Sequence, residues 1–168
     1  MDLWYDDLEV GFSVKSEPIL LTKEAIIRFA QEFDPQPFHL DEAAAVGTFF
    51  GELVASGAHS FSLTMRLGVN AGVFKGNAVA GLGVDELRFH KPVRPGSWLH
   101  GKFTVKALRG SKTKPDVGIV DWCQSARNVD PLSASNIHPP VGDQRLACPA
   151  LAGVAEGRPS ASDGCLRL

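Results

Sequence analysis

The sequence predicts an α+β domain in which antiparallel strands form a sheet that packs on a central helix. After one short strand come segments with helical spacing, and three strand-like segments follow them in a row. All ten Phe, all three Trp and the single Tyr lie at or before Trp122. The patterned part of the chain is therefore expected to end near residue 130, which leaves room for one domain rather than two.

The first two elements are an edge strand and an amphipathic helix. Residues 12–20 are expected to form a strand at an edge, because Pro18 has no N–H to donate to a neighbour. Thr22 is a suitable N-cap for the helix, whose apolar stripe consists of Ile26, Phe29, Ala30 and Phe33. Pro35 disfavours a helical backbone at Asp34, so we expect the helix to end there.

Two further helical segments follow. Asp41 can cap a short helix over residues 42–46. Residues 56–72 carry one fixed charge in seventeen residues, and Ser56 is placed to cap them. Because a helix that is apolar nearly all round is usually buried, this segment is predicted to be the central helix.

Three strands are predicted after the central helix, over residues 79–90, 98–109 and 117–127. The second of these alternates most clearly, and one of its faces would carry Leu99, Gly101, Phe103, Val105 and Ala107. Residues 110–115 contain Gly, Ser and Pro and are expected to form the turn of an antiparallel hairpin.

The composition changes after residue 130. From residue 131 to residue 168, 19 of 38 residues are Pro, Gly, Ala or Ser, and the segment contains no aromatic residue. Such a segment buries too little apolar surface to offset the entropy of ordering its backbone. We therefore interpret residues 1–130 as the folded domain and residues 131–168 as a disordered tail.

Charge and motif content exclude several classes of function. With 17 Lys+Arg against 19 Asp+Glu, the net charge is −2, and the sequence has no block of basic residues. This charge distribution gives no indication of binding to nucleic acid or to an anionic membrane. No apolar stretch is long enough to span a membrane and the first residues are acidic, so an intracellular, cytoplasmic protein is expected. Three cysteines without a Cys-x-x-Cys pair indicate plain thiols. Glycine patterns for phosphate or dinucleotide binding and a Gly-x-Ser-x-Gly motif are absent.

A carboxylate and an imidazole lie five residues apart in a segment with two prolines. Asp34 and His39 flank Pro35 and Pro37, which fix the backbone and can hold the pair in position. Histidine exchanges a proton near neutral pH, and a neighbouring carboxylate can orient it or help to activate a water. The alternative interpretation is structural: Asp34 caps a turn and His39 packs under Phe38.

A second candidate is the start of the central helix. Helix N-termini present unpaired N–H groups, and Gly57 would allow a ligand to approach the backbone. This combination suits an oxyanion hole for a carbonyl that gains negative charge. The alternative is a plain serine cap with a close helix contact. His39, Asp41 and His59 match no familiar metal-ligand spacing, so no metal site is predicted.

A basic cluster surrounds the end of the first predicted strand after the central helix. Arg88, Lys91 and Arg94 lie close to two prolines. They can either meet phosphate groups or simply lie exposed at a strand end, and the sequence leaves both interpretations open.

Four motifs occur in an order that resembles a known family. They are residues 7–11, residues 29–41 with Asp-Pro-Gln-Pro-Phe-His, residues 50–59 with Ala-Ser-Gly-Ala-His, and residues 87–96 with Pro-Val-Arg-Pro-Gly. Together they resemble the MaoC-like dehydratases, which include the (R)-specific enoyl-CoA hydratases of the hot dog fold. The resemblance implies an antiparallel sheet wrapped round a long central helix, and a homodimer. It also implies an acyl-CoA substrate without a metal or redox cofactor.

The resemblance assigns roles to three residues. Asp34 and His39 match the pair that activates a water for syn addition to an enoyl thioester. Gly57 matches the glycine whose N–H binds the thioester carbonyl. A serine that some hydratases carry deeper in the central helix would fall near Met65, so that contact is not carried over.

Further residues are expected to contact substrate: Gln36, Phe38, Ser56, His59, Arg88 and Arg94. Gln36 stands where many hydratases have Asn, which leaves the choice of substrate open. A hot dog thioesterase is the alternative enzyme, and a non-catalytic acyl-thioester binding module is the alternative of a different class.

The resemblance stops near residue 130. Family members continue with an alternating strand of about ten residues that completes the sheet, whereas Pro131 begins a segment with paired prolines. The last strand is therefore doubtful, and we hypothesise that the reading frame shifts near codon 130. Sequencing the gene on both strands and measuring the intact mass from the native host test this hypothesis.

Overall fold

The computed structural model describes residues 4–74, 78–129 and 146–156. A 3-10 turn at Tyr5–Asp7 comes first. Four helices follow the first two strands: α1 (Lys23–Phe33), α2 (Pro37–Leu40), α3 (Glu42–Val46) and α4 (Gly57–Asn70). The strands are β1 (Ser13–Lys15), β2 (Ile19–Leu21), β3 (Ala78–Val84), β4 (Arg88–Phe89), β5 (Ser97–Gly110), β6 (Val117–Val129) and β7 (Leu146–Glu156).

The strands form one antiparallel sheet of seven strands. Its order is β1-β5-β6-β7-β3, with β2 also on β5 and β4 also on β7. The predicted α+β class, with a sheet against a central helix, is confirmed.

Helix α4 crosses the inner face of the sheet from β4 towards β5. At its start, a Cβ placed on Gly57 would lie 2.8 Å from the ring of Phe89 on β4. Near its end, a Cβ placed on Gly101 of β5 would lie 3.2 Å from Cβ of Leu67. Gly101 therefore permits the close approach of helix and sheet. The buried core between them includes Leu67, Leu99, Phe103, Val120 and Trp122.

Three helix caps were predicted correctly, because capping depends on residues close together in the chain. Thr22 Oγ1 accepts from Ala25 N at 3.2 Å, Asp41 Oδ1 accepts from Ala44 N at 2.8 Å, and Ser56 Oγ accepts from Ala58 N at 3.2 Å. Helix α1 ends at Phe33, immediately before Asp34, as expected from Pro35.

Two predicted strands are each divided in two. The strand expected over residues 12–20 is split into β1 and β2, with Pro18 between them. The strand expected over residues 79–90 is split into β3 and β4, with residues 85–87 between them. In the first case the physical reason is local, because proline donates no backbone hydrogen bond.

The prediction that Ala107 shares the inner face of β5 is wrong. The pairing of β5 with β6 shifts in register between Val105 and Ala107. The extra residue at this bulge turns Ala107 outwards, where it is exposed. Helix α4 also differs from the expectation of burial nearly all round, since Ala58, Ser62, Arg66 and Val69 are exposed on the side away from the sheet.

Residues 146–156 also differ from the expectation of a disordered tail. They form β7, which lies between β6 and β3 and takes the place of the strand described as doubtful. Val120 pairs with Gly153, and Gly153 pairs with Gly81. The rest of the predicted tail, residues 131–145 and 157–168, lies outside the described residues.

Candidate functional site

The site is built on the chain reversal between α1 and α2. Asp34 follows the last residue of α1 with φ −156° and ψ 71°, so its backbone leaves the helix. Its carbonyl accepts from Gln36 N at 2.8 Å, and Pro37 then starts α2 at the position where a missing N–H costs nothing. The short helix α2 was predicted only as a rigid loop. It turns His39 back towards Asp34.

His39 is held in one orientation by a backbone carbonyl. Its Nδ1 lies 2.7 Å from Val54 O, and the residue is 6% exposed. Because a carbonyl oxygen can only accept, Nδ1 carries the hydrogen. In the neutral imidazole the lone pair is then on Nε2, which faces Asp34. Val54 N in turn donates to Phe38 O at 3.1 Å, which ties the two segments together.

In the structure the side chains of Asp34 and His39 lie close to each other. His39 Nε2 lies 3.5 Å from Asp34 Oδ2, too far for a good direct hydrogen bond. The Asp34 side chain is 32% exposed, whereas that of His39 is 7% exposed, so the pair opens to solvent on the Asp34 side.

Two hydrogen-bond acceptors therefore lie side by side, and the Asp34 side is open to solvent. A neutral Nε2 and an ionised carboxylate both accept, and because the two atoms are only 3.5 Å apart, a water on their solvent side, rather than between them, can donate one hydrogen to each. The lone pairs of that water oxygen would then point away from the pair, towards solvent. This is the geometry expected of a water prepared for attack on an electrophile.

A backbone donor directly follows Ser56, which contacts Asp34 of this pair. Gly57 N is the first amide of α4, and no acceptor among the described residues is bonded to it. It follows Ser56, whose hydroxyl donates to Asp34 Oδ2 at 2.6 Å. A negative charge that develops on a ligand oxygen at this amide would also be stabilised by the helix dipole.

His59 lies near the start of α4 but has different surroundings. Its ring stacks on Phe29 of α1, with centroids 4.4 Å apart and planes at 2°. Its Nδ1 is buried and has no hydrogen-bond partner in the described parts of the chain. Burial, followed by the positive charge of Arg28, lowers the pKa of His59 from 6.5 to about 4. The side chain is therefore neutral and joins two helices.

This burial predicts a loss of stability in mild acid. Between pH 6.5 and pH 4 the unfolded chain binds up to one more proton at His59 than the folded chain, so stability falls as the pH falls. The wild type is expected to lose about 2 kcal/mol more than His59→Phe between pH 7 and pH 5. Denaturant unfolding at several pH values measures this difference, with the exposed His90→Phe as control. Parallel pH curves for wild type and His59→Phe would contradict the prediction.

Aromatic rings form the wall beside His39. Phe38 meets the His39 ring edge-on with centroids 4.5 Å apart, and Phe50 packs on Phe38 at 5.1 Å. Phe49 is 97% exposed next to them. Gln36 caps α2 without a side-chain hydrogen bond and is exposed. The site thus has an apolar rim next to its polar centre.

The two arginines proposed as substrate contacts, Arg88 and Arg94, are paired with glutamates rather than with Asp34 or His39. Arg94 Nε donates to Glu52 Oε1 at 2.6 Å and lines an open groove of about 370 Å³ that also contains Glu42. Arg88 is exposed and lies 3.7 Å from Glu86. Each arginine already has an acidic neighbour, which weakens its pull on a phosphate group.

Several contributions were not found from the sequence. The Val54 carbonyl and the Phe89 ring act through tertiary contacts that no local pattern marks. Gln124 is fully buried on β6, and its amide has no hydrogen-bond partner among the described residues. Its two-residue spacing from Trp122 and Ala126 was the available signal that it faces inwards.

Neither a metal cluster nor a membrane-spanning helix is found in the described parts of the chain. Within residues 4–74, 78–129 and 146–156, no three His, Cys, Asp or Glu side chains gather into a possible ligand set. No helix in these ranges combines the length and apolar character needed to cross a membrane.

Comparison with known proteins identifies the family. The family model described as MaoC like domain matches residues 8–122. The crystal structure of a MaoC-like dehydratase from Rhodospirillum rubrum is 39% identical, with a TM-score of 0.80 over 94% of this chain and 99% of that one. The uncharacterised protein YdeM of Bacillus subtilis is 32% identical over 73% of this chain and 86% of its own.

A more distant structure shares the architecture. A Mycobacterium tuberculosis protein with a double hot dog fold is 16% identical, with a TM-score of 0.73 over 97% of this chain and 47% of that one. At this identity only the fold is comparable. The chain belongs to the MaoC-like domain family and has a hot dog fold, with α4 as the helix enclosed by the sheet.

Proposed function

We propose that this protein is a hydro-lyase that adds water to, or removes it from, the α,β bond of an acyl-CoA thioester. One observation carries the proposal: Asp34 Oδ2 lies 3.5 Å from His39 Nε2 and accepts from Ser56, which directly precedes Gly57, whose amide has no acceptor among the described residues. The family match and the name of the Rhodospirillum rubrum relative, a dehydratase, support it.

Hydration requires only the enoyl thioester and one water, because both hydrogens and the oxygen of that water end up in the product. The thioester carbonyl accepts a hydrogen bond from Gly57 N, which draws electron density away from the β-carbon. Asp34 and His39 hold the water and remove one proton as its oxygen bonds to the β-carbon. The same pair returns a proton to the α-carbon on the same face. The product is a 3-hydroxyacyl thioester, and dehydration follows the reverse path.

A second copy of this chain is part of the proposal. Strand β3 is last in the sheet order, and all seven of its residues are exposed, including Val79 and Leu82. An edge strand with exposed apolar residues is a surface for pairing with another chain. Sedimentation equilibrium is expected to give twice the mass of the chain, and Leu82→Lys is expected to shift it towards a single chain.

The test of the activity uses enoyl-CoA substrates of short, long and branched acyl chains. Purified protein is expected to lower the absorbance of the conjugated enoyl thioester without releasing free thiol. Thiol release would instead indicate a thioesterase. Tight binding of acyl-CoA without any turnover would indicate a binding module. Either result would overturn the proposed hydro-lyase.

A further inference from the structure

Ser56 holds the carboxylate of Asp34 from the position immediately before α4. Its Oγ lies 2.6 Å from Asp34 Oδ2, although the two residues are 22 positions apart. A carboxylate oxygen can only accept when ionised, so the hydroxyl donates. Ser56 is 2% exposed, which leaves little of its side chain accessible to a substrate.

The hydroxyl is itself fixed by the helix. Ala58 N donates to Ser56 Oγ at 3.2 Å, so the oxygen accepts from the helix and its hydrogen is directed to Asp34. Because the Ser56 hydroxyl both accepts one hydrogen bond and donates another, its hydrogen has one preferred direction. The orientation of α4 is thereby transmitted to the carboxylate through two hydrogen bonds.

This contact gives the two oxygens of Asp34 different surroundings. Oδ2 receives the Ser56 hydroxyl and also lies 3.5 Å from His39 Nε2. Without the hydroxyl, rotation about the Cβ–Cγ bond could exchange the two oxygens or turn both from the histidine. Met65, which stands where some relatives have a serine, offers no hydroxyl to replace it.

We propose that Ser56 is a positioning residue, which fixes the rotation of the Asp34 carboxylate so that it and His39 act on the same water. The inference rests on the proposed function. Ser56 also precedes Gly57 directly, so the same residue sets the distance between the water-binding pair and the amide that meets the thioester carbonyl. In this proposal the β-carbon of a thioester bound at Gly57 N is placed within reach of the water held by Asp34 and His39.

Glycine is the most informative substitution, because it removes the hydroxyl yet caps a helix almost as well as serine. Ser56→Gly is expected to lower kcat about 10²-fold and to leave KM within about two-fold. Ser56→Thr, which keeps the hydroxyl, is expected to restore most of kcat. Thr22→Gly at the cap of α1 is the matched control and is expected to keep wild-type kcat.

A double-mutant cycle separates positioning from a general structural role. If Ser56 acts through Asp34, Ser56→Gly is expected to cost nothing further in an Asp34→Asn background. Equal losses in both backgrounds would overturn the proposal. So would a Ser56→Gly enzyme with wild-type kcat, or one with raised KM and unchanged kcat, which would indicate direct substrate contact.

Crystal structures of wild type and Ser56→Gly test the inference without turnover. The Asp34 carboxylate is expected to rotate away from His39 Nε2 in the variant, and an unchanged carboxylate would overturn the proposal. If the wild type hydrates no enoyl-CoA, the proposed function fails while this structural comparison still decides the role of Ser56.

Discussion

Replacing Asp34 by Asn is expected to lower kcat for hydration by about 10² to 10⁴-fold while the protein stays folded. The amide occupies the same volume, and its oxygen can still accept from the Ser56 hydroxyl. It cannot take a proton from water, so base catalysis is lost without loss of shape. His39→Gln is expected to have an effect of similar size, because it removes the Nε2 lone pair that faces Asp34.

Asp41→Asn is the matched control for Asp34→Asn. Asp41 caps α3 through Ala44 N, and Asn caps a helix about as well as Asp. This variant is expected to keep full activity. Loss of absorbance at the enoyl-thioester band measures kcat, and thermal unfolding checks that each variant is folded. Undiminished hydration by both Asp34→Asn and His39→Gln would refute the catalytic assignment and leave the structural interpretation of the pair.

Replacing Gly57 by Ala is expected to lower kcat about 10²-fold. The new methyl group would lie 2.8 Å from the Phe89 ring, so the ring must move, and the methyl group would stand beside the amide that we propose binds the thioester carbonyl. Helix formation itself is not impaired, since Ala is the better helix former. The loss is therefore expected in activity rather than in stability.

Two further variants identify the source of this loss. Gly57→Ala combined with Phe89→Leu relieves the contact with the ring but keeps the methyl group beside the amide, and activity is expected to stay low. Gly47→Ala adds a methyl group where no atom lies within 4 Å and is expected to be silent. Wild-type kcat in Gly57→Ala would contradict the placement of the carbonyl at this amide.

Local features of the fold could be predicted because their causes are local. Thr22, Asp41 and Ser56 each cap the helix that they were expected to cap, since each contacts an amide two or three residues away. The end of α1 followed from Pro35 in the same way. Helix α2 was missed, although proline at its first position is a common signal of a helix start.

Long-range features could not be predicted in this way. The pairing of β7 with β6 depends on backbone hydrogen bonds between distant segments, and its weak alternation gave no indication of a strand. For the site, Asp34 and His39 were recognisable from spacing and resemblance. The bond from Ser56 to Asp34 was not, because only the packing of α4 against the end of α1 brings the two side chains together.

The position of β7 has a consequence for the order of events during synthesis. Strands β3 and β4 leave the ribosome well before β7, yet within the described residues each pairs only with β7. Until β7 emerges, β3, β4 and β6 carry open hydrogen-bonding edges, and Phe89 over Gly57 lacks its support from the sheet. Late, non-local pairing of this kind slows folding and exposes edges to association. Asp34, His39 and Gly57 are encoded early in the chain, but the sheet that packs on α4 is complete only after β7 has been synthesised.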